Sequence, residues 1–252
     1  MSLGSLLRRG LDKLGYVLWK RAYIRYGVDP FLDVQRLSAI WRGPVRTVFD
    51  VGANVGQTTV EALAAFPEAK ILAFEPHPQT FGFLRARVSD ERAALHNMAL
   101  GDQAGDVTMY EYGGSGDASL ANSLVPNARQ TVLYNYKAIE RVITCATLDT
   151  FCADNHIDRI DLLKIDVEGF EMSVLRGGEG LLRDGRVSFV YMEFNDLYPL
   201  PGAAGGSLLE LGDYLAKFGF KLIATYTDQV RTGGELFIVA NALFALPLKP
   251  GG

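Results

Sequence analysis

The stretch Val48-Phe49-Asp50-Val51-Gly52-Ala53-Asn54-Val55-Gly56-Gln57-Thr58 decides the fold of this chain. A short apolar segment typical of a buried strand runs directly into a turn with two glycines, and a helix-like segment follows. Glycine adopts backbone conformations closed to other residues and lets another group approach the backbone closely. Open α/β sheets bind ligands at the carboxyl ends of their strands. The turn therefore predicts a cofactor site.

The glycine spacing narrows the choice of cofactor. Gly52 and Gly56 form a Gly-x-x-x-Gly pattern, whereas a dinucleotide pyrophosphate site needs Gly-x-Gly-x-x-Gly. The Gly-Lys-Ser/Thr ending of a phosphate-binding loop is also missing. Both observations disfavour NAD, FAD and nucleoside triphosphates at this turn.

Outward from this turn, apolar runs alternate with helix-like segments from Thr47 onward, which predicts βα units and a mostly parallel sheet. The closing pair is expected to be antiparallel, because Asp228–Gly234 is too short for a helical crossover. The predicted strands are Thr47–Val51, Lys70–Phe74, Leu95–Met98, Val107–Tyr112, Glu140–Cys145, Ile160–Ile165, Val187–Glu193, Phe220–Tyr226 and Glu235–Ala240. The predicted helices are Gly56–Phe66, Pro78–Val88, Thr147–Asn155, Glu171–Leu182 and Ser207–Phe218.

Two segments do not follow this alternation of strands and helices. Residues 1–42 form a helical extension before a domain at 43–245, and residues 106–145 form a strand-loop-strand insertion within that domain. The polar loop Ser115–Ser119 is expected to act as an active-site lid. Residues 1–27 carry a net charge of +5 and place Leu7, Leu11, Leu14 and Leu18 on one helix face. That helix either lies on an anionic membrane surface or braces the domain, and bracing is favoured.

Composition limits the function classes. The 252 residues are 48% hydrophobic and carry a net charge of −4, and the chain beyond the basic extension is acidic, which argues against a nucleic-acid partner. Two cysteines, Cys145 and Cys152, fit no common metal or redox spacing and are expected to be core thiols. With no long apolar run, a cytoplasmic protein is expected. Nothing in the composition indicates the oligomeric state.

A second feature of the site is Glu75, which ends the strand Lys70–Phe74 and precedes Pro76. An acidic residue at this distance from the glycine turn typically binds the ribose diol of a nucleoside cofactor. Glu75 is therefore expected to bind ribose. His77 is expected to cap the following helix, and His96 and His156 are expected to be structural.

The third feature is a set of carboxylates at the ends of two later strands. Asp166 and Glu168 follow the apolar strand Ile160–Ile165, and Glu193 ends the strand Val187–Glu193. Charges at the end of a buried strand need a partner. These three are the candidate bases for a hydroxyl proton, with Glu168 the first choice. A magnesium ion held by the same three is the open alternative, although no metal is expected. Glu171 either takes part in catalysis or stabilises the positive N-terminal end of the next helix.

In register along the chain, these motifs resemble the FkbM family of methyltransferases from Thr47 to about Glu193. The motifs are Asp50–Gly56, Phe74-Glu75-Pro76, Asn97–Asp102, Thr147-Leu148-Asp149 and Lys164–Glu171, with Phe170 where the family usually has alanine. The resemblance implies a class I, Rossmann-like α/β fold built on a mostly parallel seven-stranded sheet with helices on both faces. It also implies S-adenosylmethionine as the cofactor and a hydroxyl of a small molecule, sugar or glycan as the acceptor.

The same resemblance implies positions for the cofactor. The glycine turn would lie under the methionine part, Glu75 on the ribose, the Asn97 to Ala99 region beside adenine and Asp166 near the transferred methyl. The full set of predicted cofactor residues is Asp50, Gly52, Ala53, Asn54, Gly56, Thr58, Glu75, Pro76, Asn97, Ala99 and Asp166. The rival functions are an NAD-dependent oxidoreductase and a non-catalytic scaffold that binds a cofactor or a membrane.

Overall fold

Seventeen helices and strands are present in the residues that the computed structural model describes, which are 24–112, 124, 138–194, 206–232 and 236–247. The strands are β1 Thr47–Val51, β2 Lys70–Phe74, β3 Ala93–His96, β4 Ala99–Leu100, β5 Gly105–Tyr112, β6 Ala138–Ala146, β7 Ile160–Ile165, β8 Val187–Phe194, β9 Lys221–Thr232 and β10 Leu236–Ala245. The helices are α1 Pro30–Trp41, α2 Gln57–Ala65, α3 Pro78–Arg87, α4 Leu148–Asp154, α5 Glu171–Arg176, α6 Glu179–Arg183 and α7 Leu208–Ala216.

The main sheet has the strand order β3-β2-β1-β7-β8-β10-β9. Neighbours from β3 to β8 pair in parallel, and β10 pairs antiparallel with both β8 and β9. The prediction of an antiparallel closing pair is therefore confirmed. The order reverses beside β1, whose two neighbours are β2 and β7, and such a switch point is where open α/β sheets bind ligands.

Both faces of the sheet are covered by apolar packing, as the continuous apolar runs of its strands require. Along β1, Val48 packs into one buried cluster and Phe49 into the other. Along β7, Leu162 and Leu163 divide in the same way. This packing on both faces holds the sheet rigid and so fixes the position of the turns at its carboxyl edge.

Several element bounds differ from the sequence predictions, most of them by one or two residues, and β9 continues to Thr232 where a strand ending at Tyr226 was predicted. The third strand is Ala93–His96 rather than Leu95–Met98, because the chain leaves the main sheet at Asn97 and enters a second sheet at β4. The predicted helix Glu171–Leu182 is two short helices. They separate at Gly177, where a side-chain Cβ would lie 1.9 Å from the carbonyl oxygen of Gly101. The last strand continues to Ala245 because it pairs on both edges.

The predicted insertion supplies β5 and β6 of a second, three-stranded sheet of order β4-β6-β5, and β4 precedes the insertion in the chain. β5 and β6 pair antiparallel from Gly105 and Cys145 to Tyr112 and Ala138. Cys145 is buried in this sheet and Cys152 is buried in the main core, and both thiols are free. The predicted lid Ser115–Ser119 lies outside the described residues.

Helix α1 is the described part of the N-terminal extension. It begins at the N-cap Asp29, whose carboxylate accepts from the Leu32 amide, with Pro30 in its first turn. Asp33 is fully buried and accepts hydrogen bonds from the Gly27 amide and, at 2.8 Å, from the Tyr226 hydroxyl. These contacts tie α1 to the main sheet. Within the described residues no helix is long and apolar enough to span a bilayer, and the predicted leucine face of residues 1–23 lies outside them.

Candidate active site

The glycine turn after β1 is shaped by its neighbours in the protein. The amides of Gly52 and Ala53 donate to the carbonyl of Phe74, at 3.0 and 2.9 Å. Gly52, Asn54 and Gly56 all have positive φ, between 48° and 87°. A Cβ on Gly52 would lie 1.8 Å from the carbonyl oxygen of Asp166. The glycine therefore gives room to the backbone after β7, which refines the expectation that it gives room to a ligand.

Gly56 has a similar explanation. A Cβ there would lie 2.7 Å from Leu84 and 2.9 Å from Val88, two side chains at the end of α3. Its left-handed backbone also begins helix α2 without a side-chain cap. Both glycines of the motif are thus required by packing. The turn that they form lies at the carboxyl edge of the sheet.

Glu75 lies beside this turn. One of its carboxylate oxygens accepts from the Asn54 amide at 3.0 Å, and the other accepts from the His77 amide at 2.9 Å. Burial raises the pKa of Glu75 to about 7, against the opposing effect of these two hydrogen bonds. The structure thus brings Glu75 and the glycine turn together, as the sequence predicted.

The residues after β3 divide between two places. The side-chain amide of Asn97 donates to the carbonyls of Glu75 at 2.8 Å and of Pro76 at 3.0 Å, which fixes Asn97 against the Glu75 turn. Ala99 instead lies in the second sheet, opposite Cys145, and packs in a separate buried cluster. The described contacts therefore join Asn97 and Pro76 to the predicted cofactor site and leave Ala99 with the insertion.

His77 caps α3, because its ring Nδ1 accepts from the Thr80 amide. Its other ring nitrogen, Nε2, lies 3.3 Å from a carboxylate oxygen of Glu111 on β5, and Glu111 also pairs with Arg141 of β6. The predicted cap is confirmed. The contact with Glu111, which the sequence did not reveal, connects the insertion to the residue two places beyond Glu75.

Asp50 and Thr59 form a buried polar pair under the turn. The Thr59 hydroxyl donates to Asp50 Oδ2 at 2.6 Å, and Asp50 Oδ1 lies 2.9 Å from the ammonium of Lys164. The side chain of Asp50 is fully buried, so its contacts are with the protein. Thr58, which the sequence analysis selected, is half-buried in the first turn of α2, and it is the neighbouring Thr59 that makes this contact.

Asp166, Glu168 and Glu193 each place one carboxylate oxygen within 4.8 Å of the other two. The three predicted bases therefore form one cluster, at the carboxyl ends of β7 and β8. Asp166 follows β7 directly, its amide donating to the Val51 carbonyl at 3.0 Å. Three close carboxylates favour retention of a proton among them, and the same spacing would suit the ligands of a divalent cation.

The turn that carries Glu168 is held by Glu171. Glu168 has φ of 51°, in the left-handed region, and Gly169 follows with φ of 101°. One carboxylate oxygen of Glu171 accepts from the amides of Val167 and Gly169, at 3.2 and 3.1 Å. Glu171 is buried, and this burial raises its pKa to about 7. Its contacts are those of a residue that shapes the turn.

The surroundings of Glu193 affect its protonation. Burial, followed by the charges of Asp166, Glu168 and Glu171, raises the pKa of Glu193 to about 10. The surroundings of Glu193 therefore favour a proton held within the cluster, where it would let one carboxyl group donate a hydrogen bond to another. Asp166 and Glu168 remain as the candidates that accept a proton.

A mostly parallel sheet of this order, with a glycine turn after its first strand and an acidic residue after its second, defines a Rossmann-like protein with a site for a nucleoside cofactor. Residues 50–222 match the model of the methyltransferase FkbM domain, and the chain belongs to this family. The family assignment decides against the oxidoreductase and scaffold alternatives.

Three relatives illustrate the range of the family. The chain is 28% identical over 194 residues to the 2-O-methyltransferase NoeI of Sinorhizobium fredii, which covers 73% of this chain and 79% of that protein. It is 30% identical over 244 residues to the 31-O-demethyl-FK506 methyltransferase FkbM of Streptomyces tacrolimicus, covering 87% and 85%. It is 30% identical over 154 residues to the hexuronic acid methyltransferase AglP of Haloferax volcanii, covering 59% and 55%.

Proposed function

We propose that this enzyme transfers the methyl group of S-adenosylmethionine to a hydroxyl oxygen of a small molecule or a sugar. The observation that carries the proposal is the carboxylate cluster of Asp166, Glu168 and Glu193, which lies beside the glycine turn. The names of the relatives support oxygen as the acceptor atom, since two specify O-methylation or an O-demethyl substrate and a third names a hexuronic acid.

The described residues fit such a cofactor. Glu75 keeps free lone pairs on both carboxylate oxygens and would accept from the ribose hydroxyls. Asn54 Oδ1 is a buried acceptor without a hydrogen-bond partner in the described part of the chain, and it would accept from an amino group of the cofactor. Of the other residues predicted to bind the cofactor, we keep Gly52, Ala53, Gly56, Thr58, Pro76, Asn97 and Asp166. We leave out Asp50, which is fully buried under the turn, and Ala99, which lies in the second sheet.

When bound, the cofactor supplies an activated methyl group, so the protein has to align the acceptor and remove one proton. In the transfer a C–O bond forms, the C–S bond breaks, and the hydroxyl proton passes to a carboxylate. We assign that carboxylate to Glu168, which lies in the turn after β7 with a left-handed backbone and belongs to the carboxylate cluster. Asp166 is the alternative base, and protonated Glu193 would donate a hydrogen bond to whichever carboxylate accepts the proton.

Choice of acceptor is assigned to the insertion 106–145 and to the N-terminal extension 1–42. The support is the contact between Glu111 of the insertion and His77, which lies two residues after Glu75. A sheet held against the cofactor turn in this way is well placed to form one wall of an acceptor pocket. We assign no metal, and the three carboxylates act as acid–base groups in this proposal.

The first experiment is calorimetric titration of the protein with S-adenosylhomocysteine, with NAD as the control. Saturable binding of S-adenosylhomocysteine alone is expected, followed by a screen of hydroxylated sugars and macrocycles with labelled S-adenosylmethionine. Transfer of label to an oxygen in the acceptor supports the proposal. Labelling of nitrogen, or preference for NAD, would overturn it.

A further inference from the structure

Lys164, in the middle of the site, has no role in the reaction as described so far. It lies on β7, directly opposite Asp50 of β1 in the parallel register, and only 4% of its surface is exposed. A buried ammonium group is costly unless charged and polar partners surround it. The partners of Lys164 therefore indicate what the protein gains from it.

On one side, Lys164 holds the glycine turn. Its Nζ lies 2.9 Å from Asp50 Oδ1 and donates to the carbonyl of Gly52 at 3.0 Å. The Gly52 carbonyl is part of the turn that carries the predicted cofactor contacts. Because Asp50 is itself fixed by Thr59, the ammonium holds this carbonyl against a rigid support.

On the other side, Lys164 faces the carboxylate cluster. The same Nζ lies 3.7 Å from Asp166 Oδ2. The side chain of Asp166 is 44% exposed, so in this contact the ammonium is buried and the carboxylate is in reach of solvent. Acidic groups reach this region from several elements: Asp50 from β1, Glu75 after β2, Asp166 and Glu168 after β7, Glu171 from α5 and Glu193 from β8.

We propose that Lys164 is a positioning residue for methyl transfer, which joins the cofactor turn at Gly52 to the carboxylate cluster at Asp166 through one buried ammonium group. This inference rests on the proposed function and deepens it. Lys164 holds the Gly52 carbonyl in place and orients the Asp166 carboxylate beside Glu168 and Glu193.

The competing explanation is a purely structural ion pair that joins β1 to β7. That explanation predicts that loss of the ammonium lowers stability and leaves the properties of the folded site unchanged. A positioning role predicts that the site itself changes in protein that is still folded. The two are separated by measurements made on the folded protein.

The test compares Lys164→Gln with the double variant Lys164→Met/Asp50→Asn and with Lys70→Met. The Gln side chain keeps a donor for the Gly52 carbonyl and removes the charge. The double variant removes the two buried charges together and therefore leaves no buried charge without its partner. It is the variant to measure if Lys164→Gln fails to fold. Lys70 is an exposed lysine on β2 and serves as the control.

Two readouts are made on each folded variant. Carbon-detected NMR follows the titration of the Asp166 carboxyl in the ligand-free protein, and calorimetry measures affinity for S-adenosylhomocysteine. We expect the Asp166 titration to move upward in Lys164→Gln, which loses only the positive charge, and to move less in the double variant, which also loses the negative charge of Asp50. We expect affinity to fall by about tenfold or more, the effect of one lost charge-assisted contact.

The control Lys70→Met is expected to match the wild type in both readouts. An Asp166 titration and an affinity that both stay at wild-type values in folded Lys164 variants would overturn the positioning role. If the wild type itself fails to bind S-adenosylhomocysteine, the proposed function fails. The Asp166 titration still decides, in that case, whether Lys164 controls the carboxylate cluster.

Discussion

Replacing Glu75 by Gln tests the cofactor site most directly, because the environment of this carboxylate makes its effect depend on pH. The pKa of Glu75 is raised to about 7 by burial. Roughly nine-tenths of the side chain is therefore ionised at pH 8 and roughly a tenth at pH 6. Only the ionised form offers all its lone pairs to the ribose hydroxyls.

The magnitude follows from these fractions. A hydrogen bond to a charged acceptor contributes about 1.5–3 kcal/mol, so Glu75→Gln should weaken S-adenosylhomocysteine binding roughly ten- to hundredfold at pH 8. At pH 6 the wild type should bind about tenfold more weakly than at pH 8, while the variant should change little. The gap between the two proteins should therefore narrow by about tenfold as the pH falls.

Calorimetry at pH 6 and pH 8 measures both affinities, and the use of two buffers with different ionisation enthalpies counts released protons. Binding to the wild type at pH 6 should release close to one proton, and binding to Glu75→Gln should release about one fewer. Glu61→Gln, an exposed change on α2, is the control. A gap of equal size at both pH values, or no gap at pH 8, would refute the assignment of Glu75 to the ribose.

Four further outcomes are expected. Glu168→Gln should keep S-adenosylhomocysteine affinity within about twofold and lower turnover by roughly 10²–10⁴ in a labelled-methyl assay, and full turnover would exclude it as the base. Gly52→Ala should lower the free energy of unfolding in urea by about 2–5 kcal/mol, through its left-handed φ and its clash with the Asp166 carbonyl. Gly82→Ala, with open space around its Cβ, should cost little, and equal effects would contradict the packing argument. The pKa of Glu171 is raised to about 7, so its contribution to stability is complete below about pH 4.5 and is lost as the pH rises through 7. In urea titrations, Glu171→Gln should remove up to about 3 kcal/mol of the fall in the free energy of unfolding between these pH values. The same fall in the variant as in the wild type would contradict this role of Glu171. Treatment with a chelator should leave turnover unchanged, whereas loss of activity restored by Mg²⁺ would favour the magnesium alternative.

The sequence predicted best those elements whose pattern is decided locally. The bounds of β1, β2 and β7 are as predicted, because each is a short, mostly apolar segment that is followed at once by a glycine or a charged residue. Glu75 and the glycine turn were also placed together correctly, since parallel strand ends meet at one edge of a sheet.

Features decided by distant packing were missed for a physical reason. The break after α5 depends on Gly101, whose carbonyl occupies the space where Gly177 would carry a Cβ. The third strand ends early because Asn97 turns to hydrogen-bond Glu75 and Pro76. A pattern of apolar residues carries no information on such contacts between segments far apart in sequence.

Lys164 shows the same limit within the site. Its place inside an apolar strand was visible, but its partners depend on the register between β1 and β7, which sets Lys164 opposite Asp50. The contact between His77 and Glu111 likewise depends on how the insertion folds back. The sequence therefore identified which residues gather at the site, and the structure was needed to show which of them support the others.

The packing at Gly52 explains why the cofactor motif and the catalytic motif act as one unit. The carbonyl of Asp166 fills the space beside Gly52, and the ammonium of Lys164 bridges the Gly52 carbonyl and the Asp166 carboxylate. A displacement of either turn must then move the other, because the close packing of the Asp166 carbonyl against Gly52 leaves no room to adjust. Such rigidity suits methyl transfer, whose rate depends on holding the acceptor oxygen in line with the methyl carbon. It follows that binding and turnover should respond together to changes at Gly52 or Lys164, and separately to changes at Glu75, which is assigned to the cofactor, or at Glu168, which is assigned to the acceptor proton.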